Sequence, residues 1–197
     1  FARHTTFTAF DIETTGLTPV VDRIVEIGAV RFQGGEVLDT FQELVVPGMP
    51  ISVGASSVNA ITDEMVQGKP TIEKVLPRFL EFLGDAVPVA HHAPFDAGFL
   101  AYDISRLNLS VPDQPVLDTC VIPKRLFPYA GSYSLESLAG FFGIKSETFH
   151  RALADAMVCM KILNRCVAEM GGSKRVSLSE ILEMNGPSVS LCTGGII

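Results

Sequence analysis

The stretch "TAFDIETTGL", residues 8–17, places two acids in what otherwise reads as a buried strand. Residues 5–12 alternate in character, with Phe10 and Ile12 on one face and Ala9 on the other, and Asp11 and Glu13 fall two residues apart. Positions two apart on a strand share a face, so the two carboxylates project side by side, in line with Phe7 and Ala9. The strand runs towards Thr14-Thr15-Gly16. The acids therefore lie near its C-terminal end, where open α/β sheets seat their ligands. Two anions this close repel, and burial worsens the repulsion unless one is protonated or a cation lies between them. Oxygen-rich clusters suit hard divalent ions such as Mg²⁺ or Mn²⁺. The competing reading is an edge strand with its acids in water, and the apolar residues on both faces argue against it.

The segments around this strand point to an α/β domain. "RIVEIGAVRF" (23–32) and "EVLDTFQELVV" (36–46) read as two further strands joined by a hairpin at Gln33-Gly34-Gly35. "TIEKVLPRFLEFLG" has Ile72, Val75, Leu76, Phe79, Leu80 and Leu83 at helical spacing and stops at Gly84. "AVPVAHH" (86–92) is a short apolar strand, and Pro94 suits the first turn of a helix through "FDAGFLAYDISRL". "PVLDT" (115–119) is a fifth strand, followed by helical "CVIPKRLF" and by "LESLAGFFG" with Ser134 as its cap. "ALADAMVCMKILNRCVAEM" (152–170) is the longest amphipathic helix, ended by Gly171-Gly172. The remainder holds one short helix and a Gly/Ser-rich tail. Three strands in a meander, then helix and strand in alternation, predict one mixed sheet flanked by helices.

Composition bounds the function. With 197 residues, 47% hydrophobic and 19% charged, the chain supports one well-packed domain. No apolar run approaches the roughly 18 residues of a membrane span, and the N-terminus lacks the apolar core of a secretory signal. The expectation is a soluble protein with no membrane partner. Opening on Phe1 rather than Met raises the expectation of a segment cut from something longer. Cys120, Cys159, Cys166 and Cys192 show neither C-x-x-C spacing nor a secreted framework. Cys159 and Cys166 read as reduced core thiols, in keeping with a cytoplasmic setting. A net charge of −7 speaks against a broadly basic nucleic-acid surface. It leaves room for a nucleic-acid enzyme whose acidic site is neutralised by divalent cations.

Two further acids and a histidine bear on the pair. Asp96, in "HHAPFDAGF", falls in the first turn of the helix after the fourth strand; alone, it could be no more than a dipole-stabilising acid. Asp155, in "HRALADA", sits among Ala152, Ala154 and Ala156, small residues that let a helix approach the sheet. His150 would lie about 140° from Asp155 on a continuous helix, so it belongs at or before the first turn, free to swing over the acids. There the positive helix end favours neutral imidazole, the form a general base needs.

"FDIETTG", "AHHAPFD" and "HRALADA", in this order, resemble the three exonuclease motifs of the DnaQ-like DEDDh family of 3′→5′ exonucleases. The likeness is nearest to the epsilon-subunit and PolC-type branch of DNA polymerase III. "DRIVEIGAVRF", "SSVNAITDEMVQGKPT" and "YSLESLAGFFGI" also look like blocks of that family, and the resemblance covers roughly residues 5–170. It implies a ribonuclease H-like fold with a five-stranded mixed sheet, two divalent cations, Mg²⁺ or Mn²⁺, and release of nucleoside 5′-monophosphates from a 3′ end. Carried over by motif, Asp11 would serve both ions, Glu13 and Asp155 would complete the first site, and Asp96 would hold the second. His150 would take the proton of the water attacking phosphorus. Thr14, Thr15 and Gly16 would hold the 3′-terminal nucleotide, with Leu17 wedged against its base. Val58 and Asn59 would flank that base, Phe95 would pack beneath it, and His91 matches a histidine near the site. His92 departs from the pattern, which usually has Asn there.

The resemblance divides the chain into an exonuclease domain at 1–171 and a tail at 172–197, flexible or docking on a partner such as a polymerase catalytic subunit. Its substrate would be a single-stranded or frayed 3′ end of DNA, with proofreading as the role. Three alternatives compete. One is an RNA-trimming enzyme resembling RNase T or oligoribonuclease, and another is a non-catalytic docking module on the same fold. The last, a zinc phosphohydrolase using His91, His92, Asp96, His150 and Asp155, is disfavoured because adjacent strand residues face opposite ways.

Overall fold

The computed structural model describes residues 4–146, 148–171 and 175–192. Gly172 and the end of the Gly/Ser-rich tail, residues 193–197, lie outside the described residues. The chain opens with strands β1 (Thr6–Thr14), β2 (Ile24–Gln33) and β3 (Glu36–Leu44), followed by helices α1 (Val53–Asn59), α2 (Asp63–Val66) and α3 (Ile72–Leu83). Strand β4 (Val87–Ala90), helix α4 (Ala93–Arg106), strand β5 (Leu117–Asp118) and helices α5 (Val121–Leu126) and α6 (Leu135–Phe142) come next. Helices α7 (Ala152–Gly171) and α8 (Leu178–Asn185) complete the fold.

The five strands form one mixed sheet in the order β3-β2-β1-β4-β5. β1–β2 and β2–β3 are antiparallel, and β4 runs parallel to both β1 and β5. The strand carrying the two acids is thus the centre of the sheet, which removes the water-exposed edge reading. The hairpin between β2 and β3 turns on Gly34 and Gly35, with φ of 58° and 92°, and pairs Gln33 with Glu36. Both angles are left-handed, the requirement that selects glycine in a tight two-residue loop.

Helices cover both faces. Phe7, Ala9, Val30 and Phe32 pack with Ala156, Cys159, Leu163 and Cys166 of α7. Phe10, Ile12, Ile27 and Ala29 pack on the opposite face with Val75, Leu76 and Phe79 of α3 and Ala97 and Leu100 of α4. Alternation along β1 therefore sends Asp11 and Glu13 to the α7 side, as their spacing predicts. All four cysteines are free, and Cys159 and Cys166 are buried. No described helix is long and apolar enough to cross a membrane.

Several boundaries differ from the sequence reading. β1 continues to Thr14, with a register shift between Glu13 and Thr14. β4 ends at Ala90, because His92 adopts a left-handed φ of 59° as the cap of α4. β5 shrinks to Leu117–Asp118, while Pro115 bridges to Ser190. α1 and α2, of seven and four residues, went unread because segments so short carry too little apolar periodicity. α8 starts with a capping box between Ser177 and Glu180. It buries Ile181, and Asn185 Oδ1 accepts the Asp118 N–H at 2.7 Å.

Candidate active site

Three carboxylates meet at the C-terminal end of β1. Asp11, Glu13 and Asp155 each offer an oxygen, and these atoms lie within 4.8 Å of one another. The local cause of this convergence is a glycine. Gly28 pairs with Asp11 across the β1–β2 ladder, and a Cβ there would sit 2.1 Å from the Leu153 nitrogen and 2.3 Å from the Ala152 carbonyl carbon. Because Gly28 has no side chain, the first turn of α7 rests directly on the sheet and brings Asp155 to the pair. Of the three alanines expected to permit this approach, Ala152 and Ala156 are fully buried and Ala154 is half-buried.

Asp96 enters from the opposite face. β1 pairs with β4 only from Phe7 to Ala9, and beyond that the Ile12 N–H is taken by Asp96 Oδ1 at 3.0 Å. The turn that delivers Asp96 is fixed by Asp118 at the end of β5. Its carboxylate accepts the N–H groups of His92 (2.9 Å), Ala93 (3.1 Å) and Cys120 (2.7 Å). Asp96 is 3% exposed and holds the Ile12 N–H of the central strand, which gives it a role beyond that of a dipole-stabilising first-turn acid.

Every acid of this group holds its proton more tightly than usual. Although Asp11 keeps some accessible surface, loss of water around its carboxyl, then Asp96, Glu13, Asp155 and Glu26, raise it well above the carboxylate range. Burial raises Asp96 well above that range too, and the Ile12 N–H opposes the shift. Glu13 is pushed to about 7, first by burial and then by Asp155 and Glu26, against a hydrogen bond from Asn59. Burial lifts Asp155 to about 6, partly offset by the His150 N–H, which donates to Oδ2 at 3.0 Å. Asp155 Oδ1 is buried with no protein partner. Mutually repelling acids and a buried carboxylate oxygen without a protein partner are what a hard divalent cation would relieve, so the donor set fits such an ion.

His150 does not join the cluster. Its φ is 60°, its ring is half exposed, and Nε2 lies 3.5 Å from Glu136 Oε1 at the start of α6. As expected, it precedes the first turn of α7. His91 is half-buried with Nδ1 3.0 Å from Thr119 Oγ1, and burial lowers its pKa. Beside it opens a cleft of about 520 Å³ lined by His91, His92, Lys124 and the segment Gly131–Leu135.

The segment after β1 forms one tight loop. Thr14 Oγ1 donates to the Gly16 carbonyl at 2.6 Å, and Thr15 Oγ1 accepts the Arg23 N–H at 3.0 Å. Asp22 occupies the space where a Gly16 side chain would project, with its carboxylate 2.4 Å from the ideal Cβ. Leu17 is 81% exposed at the loop tip and Val58 is exposed on α1. Asn59 is buried instead, its Nδ2 donating to the Thr14 carbonyl at 3.3 Å and its Oδ1 accepting the Ile61 N–H at 3.0 Å. Phe95 is half-buried against Phe99, with ring centroids 5.2 Å apart.

A family model described as an exonuclease matches residues 8–163. The chain belongs to this exonuclease family. The chain is 41% identical over 179 residues to the PolC-type DNA polymerase III of Thermotoga maritima, a match covering 91% of this chain and 13% of that protein. It is 40% identical over 157 residues to the PolC-type polymerase of Clostridium perfringens, covering 80% and 11% respectively. The chain thus spans a small part of the length of these relatives. Among solved structures it is similar to exonuclease X in complex with 5′-overhanging duplex DNA. That match has TM-score 0.71 and 29% identity and covers 91% of this chain and 99% of that one. E. coli exonuclease I with a dT13 oligonucleotide has TM-score 0.75 at 19% identity, over 85% and 42% of the two chains, a likeness of fold. The family and the five-stranded mixed sheet expected from the three motifs are those observed.

Sequence reasoning left Glu26, Gly28, Asp118 and Arg151 unassigned. Glu26 had a visible signal: like Asp11, it is an acid in an apolar strand, "IVEIGAV". It is fully buried and accepts from Arg151 Nη2 (2.8 Å), Arg151 Nε (3.1 Å), Gln42 Nε2 (2.9 Å) and the Ala152 N–H (3.1 Å). Burial pushes Glu26 up, and these four donors outweigh that and hold it below its ordinary value. Gly28 and Asp118 had no such signal, because their roles depend on contacts with chain more than twenty residues away in sequence.

Proposed function

We propose that this chain is a 3′→5′ exonuclease that hydrolyses the terminal phosphodiester of DNA, releasing nucleoside 5′-monophosphates in a proofreading role. The observation that carries the reading is the meeting of Asp11, Glu13 and Asp155 within 4.8 Å at the end of the central strand, in a chain of the exonuclease family. Asp11, Glu13 and Asp155 would hold one divalent cation, and Asp96 with Asp11 would help to hold a second. Two Mg²⁺ or Mn²⁺ ions, when bound, supply Lewis-acid stabilisation of the charge on the attacking and leaving oxygens.

The chain's own groups position the reactants and move the proton. His150, on its exposed turn, swings to accept the proton of the water that attacks phosphorus. The loop Thr14, Thr15 and Gly16, stiffened from beneath by Asn59, holds the sugar of the terminal nucleotide. Leu17 and Val58, both solvent-facing, close on its base, Phe95 packs beneath it, and His91 stands near the site. Exposed apolar residues at this spot are accounted for by a base that covers them. The unit that does this is residues 1–171. Of the tail, the described residues 175–192 add Val176 and Ile181 to one core cluster and Val189 and Leu191 to the other, and brace β5 through Asn185 and Ser190. The likeness to PolC-type polymerases supports a replicative polymerase as partner and the cytoplasm as the setting.

Digestion of 5′-labelled primers with matched or mismatched 3′ ends, beside an RNA of the same sequence, tests the reading. Faster stepwise shortening of the mismatched DNA is expected. A strong preference for RNA would replace proofreading by RNA trimming, since discrimination lies in contacts to the 2′-OH.

A further inference from the structure

The turn carrying His150 is fixed by two backbone pegs, while its imidazole lies half exposed. One peg is Asp155, which takes the His150 N–H at 3.0 Å. The other is Glu26 on β2, which takes the Ala152 N–H at 3.1 Å and grips Arg151 through both Nε and Nη2. His150 lies between these pegs with φ of 60°, a left-handed conformation that a β-carbon disfavours and that surrounding contacts must enforce.

Glu26 is equipped for this task. It sits opposite Glu13 in the β1–β2 ladder, so the two side chains share the face that meets α7. Its side chain is fully buried, and four donors converge on its two oxygens. Fork-like Arg–carboxylate pairing fixes direction as well as distance. Arg151 also offsets the second anion beside Glu13. The floor under the turn is Gly28, two residues along β2 from Glu26, so register and approach are set on one strand.

We propose that Glu26, through its fork with Arg151 and its cap on α7, is a positioning residue for His150. Removing it costs turnover rather than substrate binding. The inference rests on the exonuclease reading above, and in particular on His150 as the proton acceptor.

The test is single-turnover and steady-state hydrolysis of a DNA oligonucleotide in Mn²⁺ by the full chain and its variants. Glu26→Gln, which keeps shape but cannot hold the charged fork, is expected to lower kcat about 100-fold with KM within about threefold. Arg151→Lys keeps the charge, loses the second arm of the fork, and is expected to show a smaller loss, again in kcat. In a His150→Ala background, assayed with enzyme in excess, adding Glu26→Gln should cost less than about threefold. A cost in that background as large as in wild type would show a general structural effect and overturn the proposal. Should Glu26→Gln not fold, as judged by its near-UV spectrum, Arg151→Lys decides, and an unchanged kcat there overturns the proposal. Wild-type protein that releases no mononucleotide, or Asp11→Ala that remains active, overturns the exonuclease reading itself. Full-rate Glu26→Gln beside inactive Asp11→Ala overturns the positioning role alone.

Discussion

Glu13 ties the stability of the cation-free protein to pH. Its carboxyl ordinarily titrates at 4.5 and is raised to about 7 in the folded protein. The folded state therefore binds more protons than the unfolded one between these values, and stability falls as pH rises through that window. Below pH 4.5 the contribution is fully present, and above about 7 it is gone. At 1.36 kcal/mol per unit, the loss is about 3 kcal/mol, a large fraction of a domain's stability. Urea unfolding in EDTA at pH 4.5, 6 and 8, for wild type and Glu13→Gln, isolates this term, because the amide cannot titrate. The wild type should lose about 3 kcal/mol more than the variant across that range, and Mn²⁺ should restore it at pH 8 by binding the native cluster. Parallel pH curves for the two proteins, or no gain from Mn²⁺, would refute the reasoning.

Three further outcomes follow from named contacts. Gly28→Ala drives a methyl into the Leu153 and Ala152 backbone, which has no flexible side chain to yield. About 1–3 kcal/mol of stability should be lost in denaturant titration, and hydrolysis should fall with it as Asp155 moves. Asp118→Ala orphans the His92, Ala93 and Cys120 N–H groups, so a loss of about 1–3 kcal/mol is expected by thermal unfolding. Leu17→Ala trims an 81% exposed side chain, so stability should change by less than about 0.5 kcal/mol while KM for an oligonucleotide rises in steady-state assays.

Much of the architecture was legible in the chain because it obeys local rules. Alternation fixed which face of β1 carries Asp11 and Glu13, the paired glycines at 34 and 35 marked the hairpin, and Ser134 marked the start of α6. The central position of β1 could be inferred from apolar residues on both its faces. What escaped reading was set by contacts distant in sequence. Asp96 was singled out by its motif, but its hydrogen bond from the Ile12 N–H, 84 residues away, had no local signal. Glu26 and Arg151 are 125 residues apart, and neither predicts the other. The hydrogen bonds of Asn59 to the Thr14 carbonyl and the Ile61 N–H had no local signal, because α1, too short to show a period, brings it under the loop. His92 occupies a left-handed cap where the family usually has Asn, a residue that accepts that conformation more readily.

In the proposed reaction the Asp11–Glu13–Asp155 cluster holds divalent cations and so permits hydrolysis of DNA from its 3′ end. A single-stranded DNA labelled on its 3′-terminal nucleotide, incubated with wild type and Asp11→Ala in Mn²⁺ and in EDTA, tests it most directly. Labelled nucleoside 5′-monophosphate should be the first product from wild type in Mn²⁺, and both EDTA and the substitution should abolish it. Equal release by Asp11→Ala, release that persists in EDTA, or a labelled oligonucleotide that shortens from its 5′ end would contradict the claim.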